Sequence, residues 1–152
     1  MRRKDKEITD IKWMEAVLNA ADVARIAFSL HDEPYVIPMS FAYSNGFLFF
    51  HSAREGKKLE LLGKNPRVCV EATTDIELVR GDGPCDFGVR FRSVVCYGTA
   101  KEITGPVEKL AALDCIARKY SGTPGPMKDT AVDSVSVLQM TVDKMTGKKS
   151  GW

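Results

Sequence analysis

The chain has 152 residues, 44% of them hydrophobic, and its formal net charge is +2. This length fits one domain spanning 1–152 with a sizeable core, and the small charge implies no general attraction for nucleic acid or a membrane surface. No apolar run approaches the roughly 20 residues needed to span a bilayer, and no apolar segment of a secretory signal follows the charged first residues. These properties predict a globular protein with no membrane and no nucleic-acid partner.

The four cysteines, at positions 69, 85, 96 and 115, lack the paired spacing of a metal site. The two histidines, His31 and His51, have no further ligand at a suitable spacing, so we predict no metal site. Unpaired cysteines within apolar strands and a helix are typical of reduced thiols in a cytoplasmic protein, and we predict that location.

The first half of the chain predicts a helix followed by an antiparallel meander. Residues 1–9 are charged and are expected to form an arm, and Asp10 is a suitable N-cap for a helix with one apolar face. Pro38 cannot donate a ladder hydrogen bond, so an edge or a bulge is expected there, and Asn45-Gly46 predicts a type I′ hairpin turn. Apolar patterning predicts strands at 23–30, 35–44 and 47–51.

The second half predicts three more strands and two more helices. One helix, 55–63, ends before Asn65-Pro66 because the residue before a proline avoids the α region. Gly105-Pro106 opens the longest helix, and Gly98 predicts a bend or a close approach within a long strand. The helix is expected to bury a stripe of Leu110, Leu113, Ala117 and Tyr120. The strands are predicted at 67–74, 89–103 and 134–142, with loops at 81–84 and 121–133 and a tail at 143–152.

These elements together predict a mainly β fold, a six-stranded antiparallel barrel with about three helices outside it. Its most polar junction runs from His51 to Lys58, where a strand gives way to a helix. A hydroxyl, free backbone N–H groups, a favourable helix dipole and two ammonium groups meet there, and this combination suits a phosphate. Two simpler interpretations remain open: Ser52 is the N-cap of the helix, or Lys57 and Lys58 are a solvated helix end.

Several short motifs occur in an order and spacing that resemble one known family. They are the start MRRKDKEI, His51-Ser52-Ala53-x-Glu55-Gly56-x-Lys58, Asn65-Pro66-Arg67-Val68-Cys69, Arg92-Ser93-Val94-Val95-x-x-Gly98 and Met145-Thr146-Gly147-Lys148. Together they are similar to the 5-nitroimidazole-resistance (Nim) proteins, which belong to the pyridoxamine 5′-phosphate oxidase-related flavoproteins. The resemblance covers nearly the whole chain.

The resemblance implies an FMN-binding split barrel that works as a homodimer, with FMN at the subunit interface and a small molecule as electron acceptor. The oxidase-branch positions that contact the FMN phosphate and ribityl chain align here with His51, Ser52, Lys57 and Lys58. The strand backbone at Pro38, Met39 and Ser40 is expected along the isoalloxazine, and Ser93 and Val94 are expected from the long strand. His51 departs from the tyrosine of the oxidase branch and agrees with the Nim branch, where it is expected to place a substrate or a proton.

The implied activity is that of an FMN-dependent oxidoreductase, nitroreductase-like in type. The substrate-phosphate contacts of the oxidase branch have no clear counterpart here, so oxidation of vitamin B6 is not expected. One alternative is a non-catalytic flavin- or haem-binding protein on the same barrel. Another, a nucleic-acid-binding barrel, would need aromatic residues interleaved with basic ones on one sheet face, whereas Phe47, Phe49 and Phe50 lie in an apolar run.

Overall fold

The computed structural model describes residues 3–83, 85–122 and 132–151. Within these ranges a mainly antiparallel β architecture carries three α-helices. The elements are, in chain order, a 3₁₀ turn (Lys4–Lys6), β1 (Glu7–Ile8), α1 (Ile11–Ala20), β2 (Ala24–Leu30), β3 (Glu33–Met39), β4 (Phe41–Ser44), β5 (Phe47–Ser52), α2 (Lys57–Lys64), β6 (Arg67–Val79), β7 (Gly88–Ile103), α3 (Pro106–Ser121) and β8 (Ser136–Ser150).

The eight strands form one sheet in the order β3-β2-β6-β7-β8-β5-β4, and β1 pairs with β8 beside this path. The two ends of the order, β3 and β4, are consecutive in the chain and are separated only by Ser40. This break transfers the chain from pairing with β2 at Met39 to pairing with β5 at Phe41. The predicted barrel is confirmed as a split barrel with flanking helices, which contains eight strands rather than six.

The difference in strand number has two causes. The two-residue β1 is too short to show a periodic pattern and is held by its pairing with β8. The strand predicted at 35–44 is divided at Ser40, because the closing barrel requires its two halves to pair with different neighbours. Both causes lie in tertiary pairing rather than in the local sequence.

Local turn chemistry is confirmed at two places. Asn45 and Gly46 have φ values of 50° and 83° and join Ser44 directly to its partner Phe47, as a two-residue type I′ hairpin requires. Pro38 lies on β3, an edge strand of the sheet, and its partner on β2 is Arg25. A proline has no backbone N–H, and it is tolerated on an edge strand because the outer side of that strand forms no ladder hydrogen bonds.

Gly98 is confirmed as a point of close approach. The pairing of β7 with β8 shifts between Tyr97 and Gly98, so that Asp143 forms a bulge. A Cβ atom at Gly98 would lie 1.9 Å from the carbonyl oxygen of Thr141. Because that oxygen belongs to the backbone, the clash could be relieved only by moving the strand. The position therefore accepts only glycine, and the bulge follows from it.

Two strands extend beyond their predicted ends. β6 continues to Val79 and β8 to Ser150, because both pair along the 16-residue β7. The prediction of a tail from 143 onward is therefore wrong for the residues up to Ser150. Part of the predicted loop at 121–133, residues 123–131, lies outside the described residues, as do Pro84 in the loop at 81–84, the first two residues of the MRRKDKEI motif and Trp152.

The helices occupy different sides of the barrel. Met14, Val17 and Leu18 of α1 join the main core inside the barrel, together with Phe28, Phe41 and Phe50. Helix α3 packs outside, against β4, β5 and β8, and buries Ala112, Leu113 and Ile116. The predicted α3 stripe is confirmed at Leu113 but wrong at its two ends, since Leu110 and Tyr120 are each 45% exposed.

Candidate functional site

The junction between β5 and α2 contains a buried polar atom without a partner. His51 alternates with the inward-facing Phe50, so its ring lies on the outer side of the barrel, where it pairs in register with Val137. Its Nδ1 atom is buried and has no hydrogen-bond partner within the described part of the chain. An unsatisfied buried polar atom costs about 1–3 kcal/mol, so His51 is a candidate for contact with a ligand.

The first turn of α2 has no side-chain cap. Its N-cap is Gly56, and the Ser52 hydroxyl instead donates to the Ala53 carbonyl oxygen at 2.9 Å. The interpretation of Ser52 as the N-cap is therefore wrong. The first N–H groups of a helix have no α-helical partner. In α2 the Leu59 N–H donates to the Gly56 carbonyl oxygen at 3.0 Å, which leaves the N–H groups of Lys57 and Lys58 available to an acceptor.

Two ammonium groups lie at this helix start. Lys58 Nζ lies 4.0 Å from the position that a Cβ atom would take on Gly56, which places the charge beside the N-cap. Lys57 Nζ lies 4.9 Å from the centre of the Tyr35 ring on β3. Among the described residues neither lysine forms an ion pair, although positive charge is unfavourable at a helix N-terminus. A bound anion would offset this unfavourable charge.

A cavity of about 290 Å³ lies next to this helix start, between α2 and the turn joining β2 to β3. Lys57 and Leu61 form its α2 wall, and Leu30, His31 and Glu33 form the opposite wall. The space beside the start of α2 is therefore large enough for a ligand bigger than a phosphate.

The strand break at Ser40 lies beside this junction. Phe41 pairs with Phe50, so the preceding residue, Ser40, comes next to His51. Met39 packs against the core, whereas Pro38 is exposed, so these residues can offer backbone groups and outward-facing atoms to a ligand. Because β3 is an edge strand, its outer backbone edge has no strand partner among the described residues.

Ser93 and Val94 lie on a different part of the sheet. The row Met39, Ala24, Ala72, Val94 crosses three strand spacings, or roughly 14 Å at about 4.8 Å per spacing. Val94 is fully buried and faces the barrel interior, whereas Ser93 faces outward and is 9% exposed. The fold thus gathers Pro38, Met39, Ser40, His51, Ser52, Lys57 and Lys58 around one junction and leaves Ser93 and Val94 apart from it.

The last turn of α3 was missed by sequence reasoning, which placed Tyr120 in an apolar stripe. The Tyr120 hydroxyl accepts a hydrogen bond from the Phe41 N–H at 3.0 Å and donates to the Asp22 carbonyl oxygen at 2.6 Å. Lys119 Nζ donates to the Leu18 carbonyl oxygen at 3.0 Å and lies 3.4 Å from the centre of the Phe41 ring. Burial lowers the pKa of Lys119 to about 8. The only sequence signal for these contacts is the polar group at the end of each side chain, and an ordinary helix surface carries the same groups.

The cysteines carry no sign of a reactive site. All four are free, and Cys85 is exposed. Burial raises the pKa of Cys96 to about 12 and also raises the pKa values of Cys69 and Cys115, so these three thiols stay protonated near neutral pH. In the part of the chain described here, no helix is both long enough and apolar enough to cross a membrane.

Solved structures share this fold along nearly the whole chain. A candidate 5-nitroimidazole antibiotic resistance protein from Bacteroides thetaiotaomicron is 35% identical, with 94% of this chain and 86% of that chain covered and a TM-score of 0.83. A FAD- and haem-binding protein from Mycobacterium smegmatis has the same TM-score at 18% identity, covering 97% of this chain and 74% of that one, a likeness of fold alone.

Among curated proteins, an uncharacterized protein of Rhizobium meliloti is 33% identical over 57 residues, which are 38% of this chain and 37% of that protein. The alignment thus spans little more than a third of the relative's length. The family model described as pyridoxamine 5′-phosphate oxidase matches residues 12–149. This range begins in the first turn of α1 and ends at Lys149, the partner of Arg92 in the pairing of β7 with β8. By this match the chain belongs to the pyridoxamine 5′-phosphate oxidase family.

Proposed function

We propose that this protein is an FMN-dependent oxidoreductase that reduces a small oxidised substrate, such as a nitro compound, at a flavin held between two copies of the chain. The observation that carries the proposal is the start of α2, where an uncapped helix N-terminus and two lysines without ion pairs adjoin the end of β5. The 35% identity with a candidate 5-nitroimidazole resistance protein supports the choice of substrate class.

The residues of the junction fit the phosphate of FMN. The free N–H groups of α2 and the ammonium groups of Lys57 and Lys58 would bind the phosphate, and the Ser52 hydroxyl is positioned to exchange its bond to Ala53 for one to the ligand. The unpaired edge of β3 at Pro38, Met39 and Ser40 would lie along the ring system. When bound, FMN supplies hydride and one-electron transfer, while the protein supplies binding, orientation and electrostatics.

His51 is the proposed catalytic residue. Its Nδ1 atom is buried without a partner within the described residues, next to the strand break at Ser40. A ligand polar group at this point would satisfy the atom, and the imidazole could hold a substrate or transfer a proton to it.

The proposed homodimer would use the outer face of β6 and β7. In the described structure α1 contacts these two strands through the main core, on their inward-facing side, and α3 packs against β4, β5 and β8 instead. The two strands expose large apolar side chains: Ile76, Leu78, Val89 and Tyr97. The exposed Val36 of β3 lies in the same row across the sheet as Tyr97. A second copy covering this face would bury them. It would also bring the outward-facing Ser93 and the backbone at Val94 to the interface between the two copies, where the flavin is proposed to lie.

A non-catalytic flavin or haem carrier is the second candidate, favoured by the fold shared with the Mycobacterium smegmatis protein. Haem iron needs an axial ligand, and His51 is the histidine closest to the junction, since His31 lies in the exposed turn between β2 and β3. The two candidates differ in whether a bound cofactor, once reduced, passes electrons to an acceptor.

The experiment is a visible absorption spectrum of the purified protein, followed by identification of the released cofactor by mass. We expect a flavin spectrum and the mass of FMN, and reoxidation of the reduced protein when a 5-nitroimidazole is added without oxygen. A Soret band would favour the haem carrier, and a bound flavin that no acceptor reoxidises would favour the flavin carrier. A colourless protein that does not take up added FMN would refute the proposal.

A further inference from the structure

The strand break at Ser40 leaves a backbone group that a continuous sheet would have satisfied. Pairing with β2 ends at Met39, and β4, which begins at Phe41, is the last strand of the sheet. The Phe41 N–H is directed away from any strand and donates to the Tyr120 hydroxyl at 3.0 Å. A phenol from α3 thus takes the place of a missing strand.

The same hydroxyl connects this point to a second segment. It donates to the Asp22 carbonyl oxygen, in the link between α1 and β2, at 2.6 Å. A hydroxyl can accept and donate at once, so one oxygen atom fixes the start of β4 relative to the start of β2. Between these two anchors lies Ser40, which connects Phe41 to the last β3 residue, Met39, the partner of Ala24.

The neighbouring residue strengthens the same connection. Lys119 Nζ binds the Leu18 carbonyl oxygen at the end of α1 and lies over the Phe41 ring at 3.4 Å from its centre. The last turn of α3 therefore holds the end of α1, the link to β2 and the first residue of β4. These are the elements that surround the exposed backbone at Pro38 and Ser40.

We propose that Tyr120 is a positioning residue for the flavin ring, because its hydroxyl sets the path of the backbone at Pro38, Met39 and Ser40. This inference rests on the proposed function, in which that backbone lies along the isoalloxazine. Tyr120 does not have to contact the ring itself. Its action is exerted through the Phe41 N–H, one peptide bond beyond Ser40.

The matched test uses two tyrosines that make the same kind of bridge. Tyr43 accepts a hydrogen bond from the Gly46 N–H and donates to Glu15, but it does so at the opposite end of β4. Tyr120→Phe and Tyr43→Phe each remove one bridging oxygen and keep the ring. Each variant would be titrated with FMN by flavin fluorescence, its bound-flavin spectrum recorded, and amide exchange at Phe41 measured without flavin.

We expect Tyr120→Phe, which removes both bonds of the bridge, to bind FMN about fivefold more weakly, an effect of the size that one modest hydrogen bond contributes. We also expect a shifted visible flavin band and faster exchange of the Phe41 amide. Tyr43→Phe should bind FMN as the wild type does and should leave the flavin band unchanged. A purely structural role of Tyr120 would lower the unfolding temperature without moving the flavin band.

The outcomes separate this inference from the proposed function. If the wild type binds FMN and Tyr120→Phe has the same affinity and spectrum, Tyr120 is not a positioning residue, and the proposed function stands. If Tyr43→Phe changes the flavin as much as Tyr120→Phe does, the effect is general and the inference is wrong. A Tyr120→Phe protein that does not fold would show a structural role instead. Failure of the wild type to bind FMN would overturn both proposals.

Discussion

Two helix ends in this protein treat their polar groups in opposite ways. At the last turn of α3, Arg118 pairs with Asp114 at 2.7 Å, and Lys119 and Tyr120 reach backbone carbonyl groups on other elements. At the junction that leads into α2, His51 Nδ1 is buried without a partner in the described structure, and Gly56 provides no side-chain cap.

The difference separates stability from binding. Polar groups at the end of α3 are satisfied within the chain, so they stabilise this structure and need nothing else. The groups before α2 carry a cost in the structure as it stands, since a buried polar atom is unsatisfied and positive charge lies at the wrong end of a helix. Unfavourable groups of this kind are retained where the binding of a ligand offsets their cost. Substitutions in the two regions should therefore have opposite consequences.

The largest expected effect is on cofactor affinity at the junction. The double substitution of Lys57 and Lys58 by alanine should weaken FMN binding by about 100-fold, because charge-assisted hydrogen bonds to a phosphate contribute about 1.5–3 kcal/mol each. The same change should leave the stability of the cofactor-free protein equal or higher, since it removes positive charge from a helix N-terminus. Flavin titration and thermal unfolding measure the two effects.

The control for this double variant is Lys64→Ala, which removes a lysine from the last turn of the same helix. It should leave FMN affinity unchanged and slightly lower stability, because positive charge is favourable at that end. Equal flavin binding by the double variant and the wild type would refute the phosphate assignment at α2.

The second effect concerns His51, where stability and turnover should move in opposite directions. His51→Phe keeps a ring of similar size and removes the unsatisfied Nδ1 atom, so the cofactor-free protein should gain about 1 kcal/mol. His51→Ala should still bind flavin but reduce its acceptor at least about tenfold more slowly, if the imidazole holds the substrate or moves a proton.

Urea unfolding and anaerobic stopped-flow reoxidation measure these two quantities. If every acceptor tested reoxidises His51→Ala as fast as the wild type, the histidine is structural. His51 would then not belong to a region that serves binding rather than stability.

A third prediction tests whether the end of α3 is built for stability. Gly122 terminates the helix at φ 74°, a conformation that costs other residues about 1 kcal/mol. Gly122→Ala should therefore lower the unfolding free energy by about that amount and leave flavin affinity nearly unchanged. Gly63→Ala, inside α2 with open space around it, should instead raise stability by about 0.5–1 kcal/mol. Equal effects of the two alanines in urea unfolding would contradict this account.

The features that the sequence predicts correctly are those that depend on neighbouring residues. The turn at Asn45-Gly46, the edge position of Pro38 and the close approach at Gly98 each follow from the steric properties of one or two residues. The junction from His51 to Lys58 is also contiguous, so its polar groups had to lie near one another once a strand and a helix were placed there.

The features that the sequence does not reveal depend on distant partners. Residues 143–150 show no strong alternation and form a strand because β7 pairs with them. The break at Ser40 follows from closing the barrel. Tyr120 lies 79 residues after Phe41 in the chain, and nothing in the pattern of α3 distinguishes its hydroxyl from that of a surface tyrosine. A contact of this kind is visible only in the folded molecule.

The last expected effect is a pH dependence from the end of α3. Burial lowers the pKa of Lys119 from 10.5 to about 8 in the folded protein. Between these values the unfolded chain binds a proton that the folded chain has released, so the contribution of this lysine to stability rises with pH from about 8 to 10.5. In Lys119→Met this contribution is absent, although the loss of the bond to Leu18 lowers stability at every pH.

The measured quantity is the difference in unfolding free energy between wild type and Lys119→Met, from urea unfolding in reducing buffer between pH 7 and 10.5. Buried thiols act in the opposite direction, since Cys96, with its pKa raised to about 12, favours unfolding above about pH 9. That term is common to both proteins and cancels in the difference. We expect the difference to grow in favour of the wild type above pH 8. If the unfolding free energies of the two proteins change with pH in parallel, Lys119 is as well hydrated in the folded protein as in the unfolded chain. The end of α3 would then be as open to solvent as the start of α2.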